Sequence, residues 1–146
     1  MSDEVLGPDA LDFWLGRWSV SWSGNGRGTK EIRRALDDRI VVEQFDGRDD
    51  TSALAGMSIS ISRSEGWRQI WMDSTGGYLE FDGVEVDGRI SFLTRSALPE
   101  GSGERLQRMR WSDVTSDRLT WTWEASSDGA VSWQPLWVID YERLPD

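Results

Sequence analysis

The sequence predicts an all-β fold: one domain over residues 1–146, built as an antiparallel up-and-down barrel of about ten strands with a short N-terminal helix. Three observations carry this reading. Turn-forming residues recur about every eight to twelve positions, the spacing of a meander. The segments between them alternate with period two: Met57, Ile59 and Ile61 against Ser58, Ser60 and Ser62, then Trp121 and Trp123 against Thr120, Thr122 and Glu124. No segment beyond residue 16 keeps a helical period for three turns. Short strands without crossover helices leave two sheet edges, and closure removes both. Hairpin-length connections favour a barrel over a two-sheet sandwich, which needs longer crossings.

The elements follow in order. PDALDFWL, residues 8–15, reads as the helix, with Pro8 in the first turn and Gly16 as the stop. Trp14 then sits in a lid, while Trp18, Val20 and Trp22 line one face of a first strand over 17–23. SGNGRG (23–28) leads to a strand at 29–36, and LDD (36–38) to one at 39–46. DGRDDTSA (46–53) is the one longer loop, followed by strands 54–63, 66–73 and 77–82, with SEG and STGG between them. Asp82-Gly83 and Asp87-Gly88 read as turns, because Asp-Gly suits the positive φ of tight hairpins. Strands 88–96, 104–112, 117–125 and 132–143 complete the set, separated by PEGSG, DVTSD and Asp128-Gly129.

Composition narrows the partners. Only 38% of residues are hydrophobic, but ten are tryptophan. Each indole buries roughly 150–250 Å², so a few rings replace many aliphatic side chains. A net charge of −10 repels phosphate backbones and anionic headgroups, which argues against nucleic acid and membrane partners. Fifteen of the sixteen bases are arginine, and Lys30 is the lone lysine. The chain has no cysteine, which excludes disulfides and thiolate metal sites. With no histidine either, it lacks the commonest metal ligand and general base, so no metal is expected. The acidic MSDEVLGPDALD opening has no long apolar run, so a cytoplasmic location is expected.

Gly16-Arg17-Trp18, preceded by LDFWL, resembles the G-x-W signature of the calycins, the group of lipocalins and fatty-acid-binding proteins. That resemblance implies an arginine on the last strand, packed across the tryptophan to close one end of the barrel. Tyr141-Glu142-Arg143 supplies it, making Trp18 and Arg143 the expected closure pair. FWLGRW, VVEQFDG, GWRQIWMDSTGGYLEF, QRMRW and WTWEASSDG, over almost the whole chain, resemble small bacterial lipocalin-like domains of unknown function. This second resemblance implies a fold and no activity. Fatty-acid-binding proteins hold the lipid carboxylate with an arginine two positions before the terminal tyrosine, where this chain has Ile139. They also insert helices between strands one and two, where this chain has only SGNGRG. Haem-binding barrels of the nitrobindin type use a histidine, which leaves only tyrosine among the usual haem ligands here.

A ten-stranded barrel is too wide for side chains alone to fill, so an internal cavity is expected. Trp67, Gln69, Trp71 and Asp73 share a face, and inward Gln69 and Asp73 would orient a polar ring or amine. Asp73 equally reads as the organiser of the STGG turn. In QRMRW, either Gln107, Met109 and Trp111 point inward, or Arg108 and Arg110 do. An inward Arg108 needs an anionic ligand or a carboxylate, with Glu43 and Glu124 the candidates, whereas outward arginines are simply solvated. Trp121, Trp123, Trp133 and Trp137 form either a cage for a flat or cationic ligand or part of the core. The candidate ligand set is Glu43, Gln69, Trp71, Asp73, Arg108, Trp123, Trp137 and Tyr141. GNGRG lacks the Lys-Ser/Thr ending of a phosphate loop, and DGRDD lacks the calcium-loop pattern.

The leading expectation is a cofactor-free barrel that binds a small apolar or aromatic molecule. The alternative is a cofactor-independent enzyme of cyclase, isomerase or decarboxylase type, with Glu43, Asp73, Glu124 or Tyr141 as acid or base. A homodimer carrying tryptophans on an outer face is the third reading.

Overall fold

The computed structural model describes residues 5–48, 54–98 and 103–145. Ten strands run in chain order: β1 (Gly16–Trp22), β2 (Gly26–Ala35), β3 (Ile40–Asp46), β4 (Ala55–Arg63), β5 (Gly66–Asp73), β6 (Tyr78–Val86), β7 (Arg89–Ala97), β8 (Glu104–Ser112), β9 (Arg118–Ser126) and β10 (Gln134–Arg143). Every strand pairs antiparallel with its chain neighbours, and β10 returns to β1, closing the barrel. At that seam Trp18 opposes Arg143 and Val20 opposes Tyr141.

Register fixes which face looks inward. Trp18 opposes Lys30, Lys30 opposes Phe45, and Phe45 opposes Gly56, so these positions share the interior. Continuing round the barrel, Ser58, Ser60, Gln69, Phe81, Phe92, Met109, Trp121, Ile139 and Tyr141 face the same space. On β4 Ser58 and Ser60 therefore point in, fully buried, and Met57, Ile59 and Ile61 point out.

Three expectations are corrected. The N-terminal segment is not an α-helix over 8–15. It is a chain of i→i+3 turns ending in a three-residue 3-10 helix, Asp12–Trp14. A 3-10 repeat places residues three apart on one side, which turns Leu11 and Trp14 together into the barrel end, each at most 1% exposed. Second, Asp82-Gly83 is not a turn, because β6 runs through it to Val86. Gly83 serves close approach: a Cβ there would lie 2.6 Å from Trp67 Cβ. Third, β2 starts at Gly26, three residues before the expected start, since the Gly24-Asn25 turn alone reverses the chain. Asp49 and Asp50 of the DGRDD run, and residues 99–102 of PEGSG, lie outside the described residues. Among the described residues no helix is long and apolar enough to cross a membrane.

The LDD turn stores strain. Leu36, Asp37 and Asp38 all take left-handed φ values, 53°, 56° and 65°. Leu36 is 71% exposed, so its side chain returns little packing for that backbone cost. Leu36→Gly should raise stability by about 1 kcal/mol in chemical denaturation, and Leu36→Ala, which keeps the Cβ, should not.

Candidate functional site

The interior has a closed end, a polar waist and an open end. At the closed end the Arg143 guanidinium lies over the Trp18 ring, 4.1 Å from its centroid. Arg143 also donates to the carbonyls of Leu15 (2.8 Å) and Ser116 (2.7 Å), tying the last strand to both neighbouring loops. Gly16 has to be glycine: its φ is 129°, and a Cβ would fall 2.4 Å from the guanidinium. The Trp18 indole donates to the Trp14 carbonyl, and Trp67 donates to that of Gly7, pinning the N-terminal turns across the opening. Trp14 and Phe13 pack edge-on against Trp111, at 5.0 and 5.5 Å. This end is solid.

The waist holds a buried ion pair that the sequence reading missed. Lys30 is 3% exposed and its ammonium lies 2.8 Å from a carboxylate oxygen of Glu43, itself 4% exposed. Lys30 also donates to the Tyr141 hydroxyl, and Ser58 donates to the other Glu43 oxygen at 2.7 Å. The rings of Phe45, Trp121 and Tyr141 surround the ammonium at 5.0, 4.8 and 4.8 Å. An aromatic cage thus exists, and the chain's own lysine fills it. Burial alone would depress the lysine pKa, but Glu43 and then Tyr141 more than reverse this, and the net shift is upward. Lys30 therefore stays charged. Burial pushes the Tyr141 phenol up to about 12 against the pull of Lys30, so it stays neutral.

Next to this pair, Gln69 donates to Ser60 at 2.9 Å. The polar groups of the waist cluster on one side. Strands β2–β5 contribute Lys30, Glu43, Ser58, Ser60 and Gln69 alongside Ile32, Val41 and Phe45, while β6–β10 contribute Phe81, Phe92, Met109, Trp121 and Ile139, with Tyr141 supplying the one hydroxyl to Lys30. The polar groups are paired with one another among apolar neighbours.

At the open end the inward side chains are only half-buried: Trp22, Trp71, Leu79, Thr94, Gln107, Trp123 and Trp137. Trp71 lies flat along β4, where Gly56 makes room: a Cβ there would meet the indole at 2.3 Å. The Trp71 N–H is held by Asp73 at 2.9 Å, and the Trp123 N–H by Gln107 at 3.0 Å. Trp137 stands edge-on to Trp22, Phe45 and Trp121, with centroids 5.3, 5.7 and 5.9 Å away. It forms the partition between the mouth and the ion pair.

The expected ligand residues divide accordingly. Glu43, Gln69, Trp71, Trp123, Trp137 and Tyr141 face the interior. Asp73 stands at the rim and organises the turn, accepting from the hydroxyl and backbone of Thr75, from Trp71 and from the Gly77 backbone. Those bonds, the Thr75 hydroxyl foremost, hold its pKa near about 2. Arg108 is on the outer surface, since Gln107, Met109 and Trp111 take the inward parity. There Glu124 accepts from Arg108 at 2.6 Å and Arg110 at 3.0 Å, and Trp133 stacks on Arg108 at 3.9 Å. The sequence signal for the missed residue was available: a single lysine among fifteen arginines, placed opposite Trp18 by the first hairpin. No family model and no curated protein matches this chain.

Two outcomes follow. Lys30→Met leaves Glu43 buried without a counter-charge and should cost about 3–5 kcal/mol. The double variant Lys30→Met/Glu43→Gln should recover most of that loss, and a double-mutant denaturation cycle measures both. The depressed Asp73 pKa stabilises the fold above the ordinary carboxylate value of 3.8, and this is lost as pH falls toward about 2. Asp73→Asn should therefore flatten the acid limb of a stability-versus-pH curve without changing its neutral plateau's slope.

Proposed function

We propose that this chain is a calycin-like, cytoplasmic binding barrel that takes a small, flat, uncharged apolar or aromatic molecule into its open end. The observation that carries the reading is the asymmetry of the barrel. Indoles facing inward are sealed at one end and half-buried at the other, so the unsatisfied apolar surface is concentrated at a mouth. Trp123 and Trp137 offer the walls, with Trp22 and Trp71 beside them. A cationic guest is disfavoured because the cage suited to it already holds Lys30. Kinship with the calycins is supported by Arg143 lying across Trp18, as the G-x-W resemblance implies.

Binding is better supported than acid–base catalysis. Each group such chemistry would draw on is already engaged: Glu43 with Lys30 and Ser58, Asp73 within its turn, Glu124 with two arginines outside the barrel, and Tyr141 with Lys30.

The test is a titration with the neutral dye N-phenyl-1-naphthylamine, following both its emission and tryptophan quenching. Saturable micromolar binding is expected, weakened about tenfold by Trp123→Ala and unchanged by Trp133→Ala, which alters the outer surface. No saturable binding, or sensitivity to Trp133 instead of Trp123, would overturn the reading.

A further inference from the structure

Indoles and Leu79 build most of the wall at the open end, and Thr94 and Gln107 interrupt it. These two stand directly opposite each other on β7 and β8, with the inward parity of Phe92 and Met109 below them. Opposite residues on adjacent strands have Cβ atoms about 4.5–5.5 Å apart, so both side chains can reach one ligand atom.

The direction of the Gln107 amide is fixed. The Trp123 N–H donates to its Oε1 at 3.0 Å, and an indole can only donate, so the Nε2 amino group is turned away from that ring. Neither this amino group nor the Thr94 hydroxyl has a partner among the described residues. Neither is sealed from solvent. Among the described residues, the buried side-chain polar atoms without a partner are the indole nitrogens of Trp14 and Trp111, at the closed end. A flat aromatic guest entering the mouth therefore meets two polar groups that still have bonds to make.

Those groups select an acceptor. The Gln107 carbonyl is engaged by Trp123, which leaves a fixed N–H donor, and the Thr94 hydroxyl can rotate to donate beside it. A carbonyl oxygen has two lone pairs and satisfies both donors at once. A hydrocarbon edge in the same place strips water from both and returns no bond. Arg105 stands one rung nearer the rim, opposite Ser96, with no ion pair among the described residues. It would favour a carboxylate, but Asp73, ionised at the same rim, and the net charge of −10 oppose one.

We infer that Gln107, with Thr94 beside it, is the specificity-determining residue of the mouth, and that the guest is a flat aromatic ketone, ester or lactone whose carbonyl oxygen accepts from the Gln107 amide. This rests on the binding reading above and adds to it the class of molecule and its orientation, with the ring against Trp123 and Trp137 and the carbonyl toward β7 and β8.

Displacement of N-phenyl-1-naphthylamine by a matched pair, 2-acetylnaphthalene and 2-isopropenylnaphthalene, tests it. The pair differs only by an oxygen in place of a methylene group. Their hydration in free solution differs too, but it cancels when the ratio of their dissociation constants is compared between variants. Gln107→Leu should shift that ratio against the ketone about tenfold, the worth of one well-made hydrogen bond, and leave the hydrocarbon bound as tightly or more so. Gln107→Glu keeps an acceptor for Trp123 and removes the donor, so it should shift the ratio at least as far. Thr94→Val should shift it about threefold. Near-UV circular dichroism of the tryptophans checks that the variants are folded. A ratio that neither Gln107 variant moves, with both compounds still displacing the dye, would overturn the inference and leave the binding reading standing. So would 2-naphthoate binding more tightly than 2-acetylnaphthalene, with the difference lost in Arg105→Gln, because the contact would then belong to the rim. A wild-type chain that binds neither the dye nor any of the naphthalenes would overturn both readings.

Discussion

Pairing of the first strand with the last turns a ten-strand ribbon into a tube and decides which side chains must share its interior. The seam residues show how tightly this is specified. Arg143 covers Trp18 and reaches the Leu15 carbonyl, and Gly16 leaves the space it occupies. Once the seam is made, edge strands disappear and the alternation of every strand is committed. A one-residue slip would carry Lys30 and Glu43 to the outside and the isoleucines of β4 to the inside.

A tube of this width has to be filled, and the chain does so unevenly. Large rings plug one end, and at the waist a hydrogen-bonded polar cluster from β2–β5 sits among apolar side chains. Placing an ion pair there is a poor route to stability, since desolvating both partners offsets much of their attraction. What it offers is definition: Lys30 meets Glu43, Tyr141 and three ring faces at once, which few alternative registers reproduce. A compact ammonium suits a box of three rings about 5 Å away better than a planar guanidinium. That is a physical reason for lysine at this position in a chain that otherwise uses arginine.

The all-β class, the ten strands and the closed meander were legible because period-two alternation and turn residues act locally. Asp82-Gly83 misled for an instructive reason. Glycine there answers a neighbour fifteen or so positions away in the chain, Trp67, and local rules see only a turn signal. The N-terminal segment misled similarly, because its 3-10 winding is set by the barrel end that Leu11 and Trp14 must fill. At the site, the shared face of Gln69 and Trp71 followed from spacing, and pairing with β4 and β6 turns that face inward. QRMRW gave both parities equal sense, and only pairing with β9, which brings Glu124 beside Arg108, resolves it. Lys30 was hidden by its type: lysines in strands usually face water, and its partner lies on the adjacent strand.

The central claim is that the indoles divide into a sealed end and an accessible mouth. Hydrogen exchange of the ten indole N–H groups, followed by NMR with assignments from single Trp→Phe variants, tests it most directly. Slow exchange is expected at Trp14, Trp18, Trp67 and Trp111, with fast exchange at Trp22 and Trp137. Uniformly slow exchange across the inward-facing rings would mean a filled interior with no mouth, and would contradict the account.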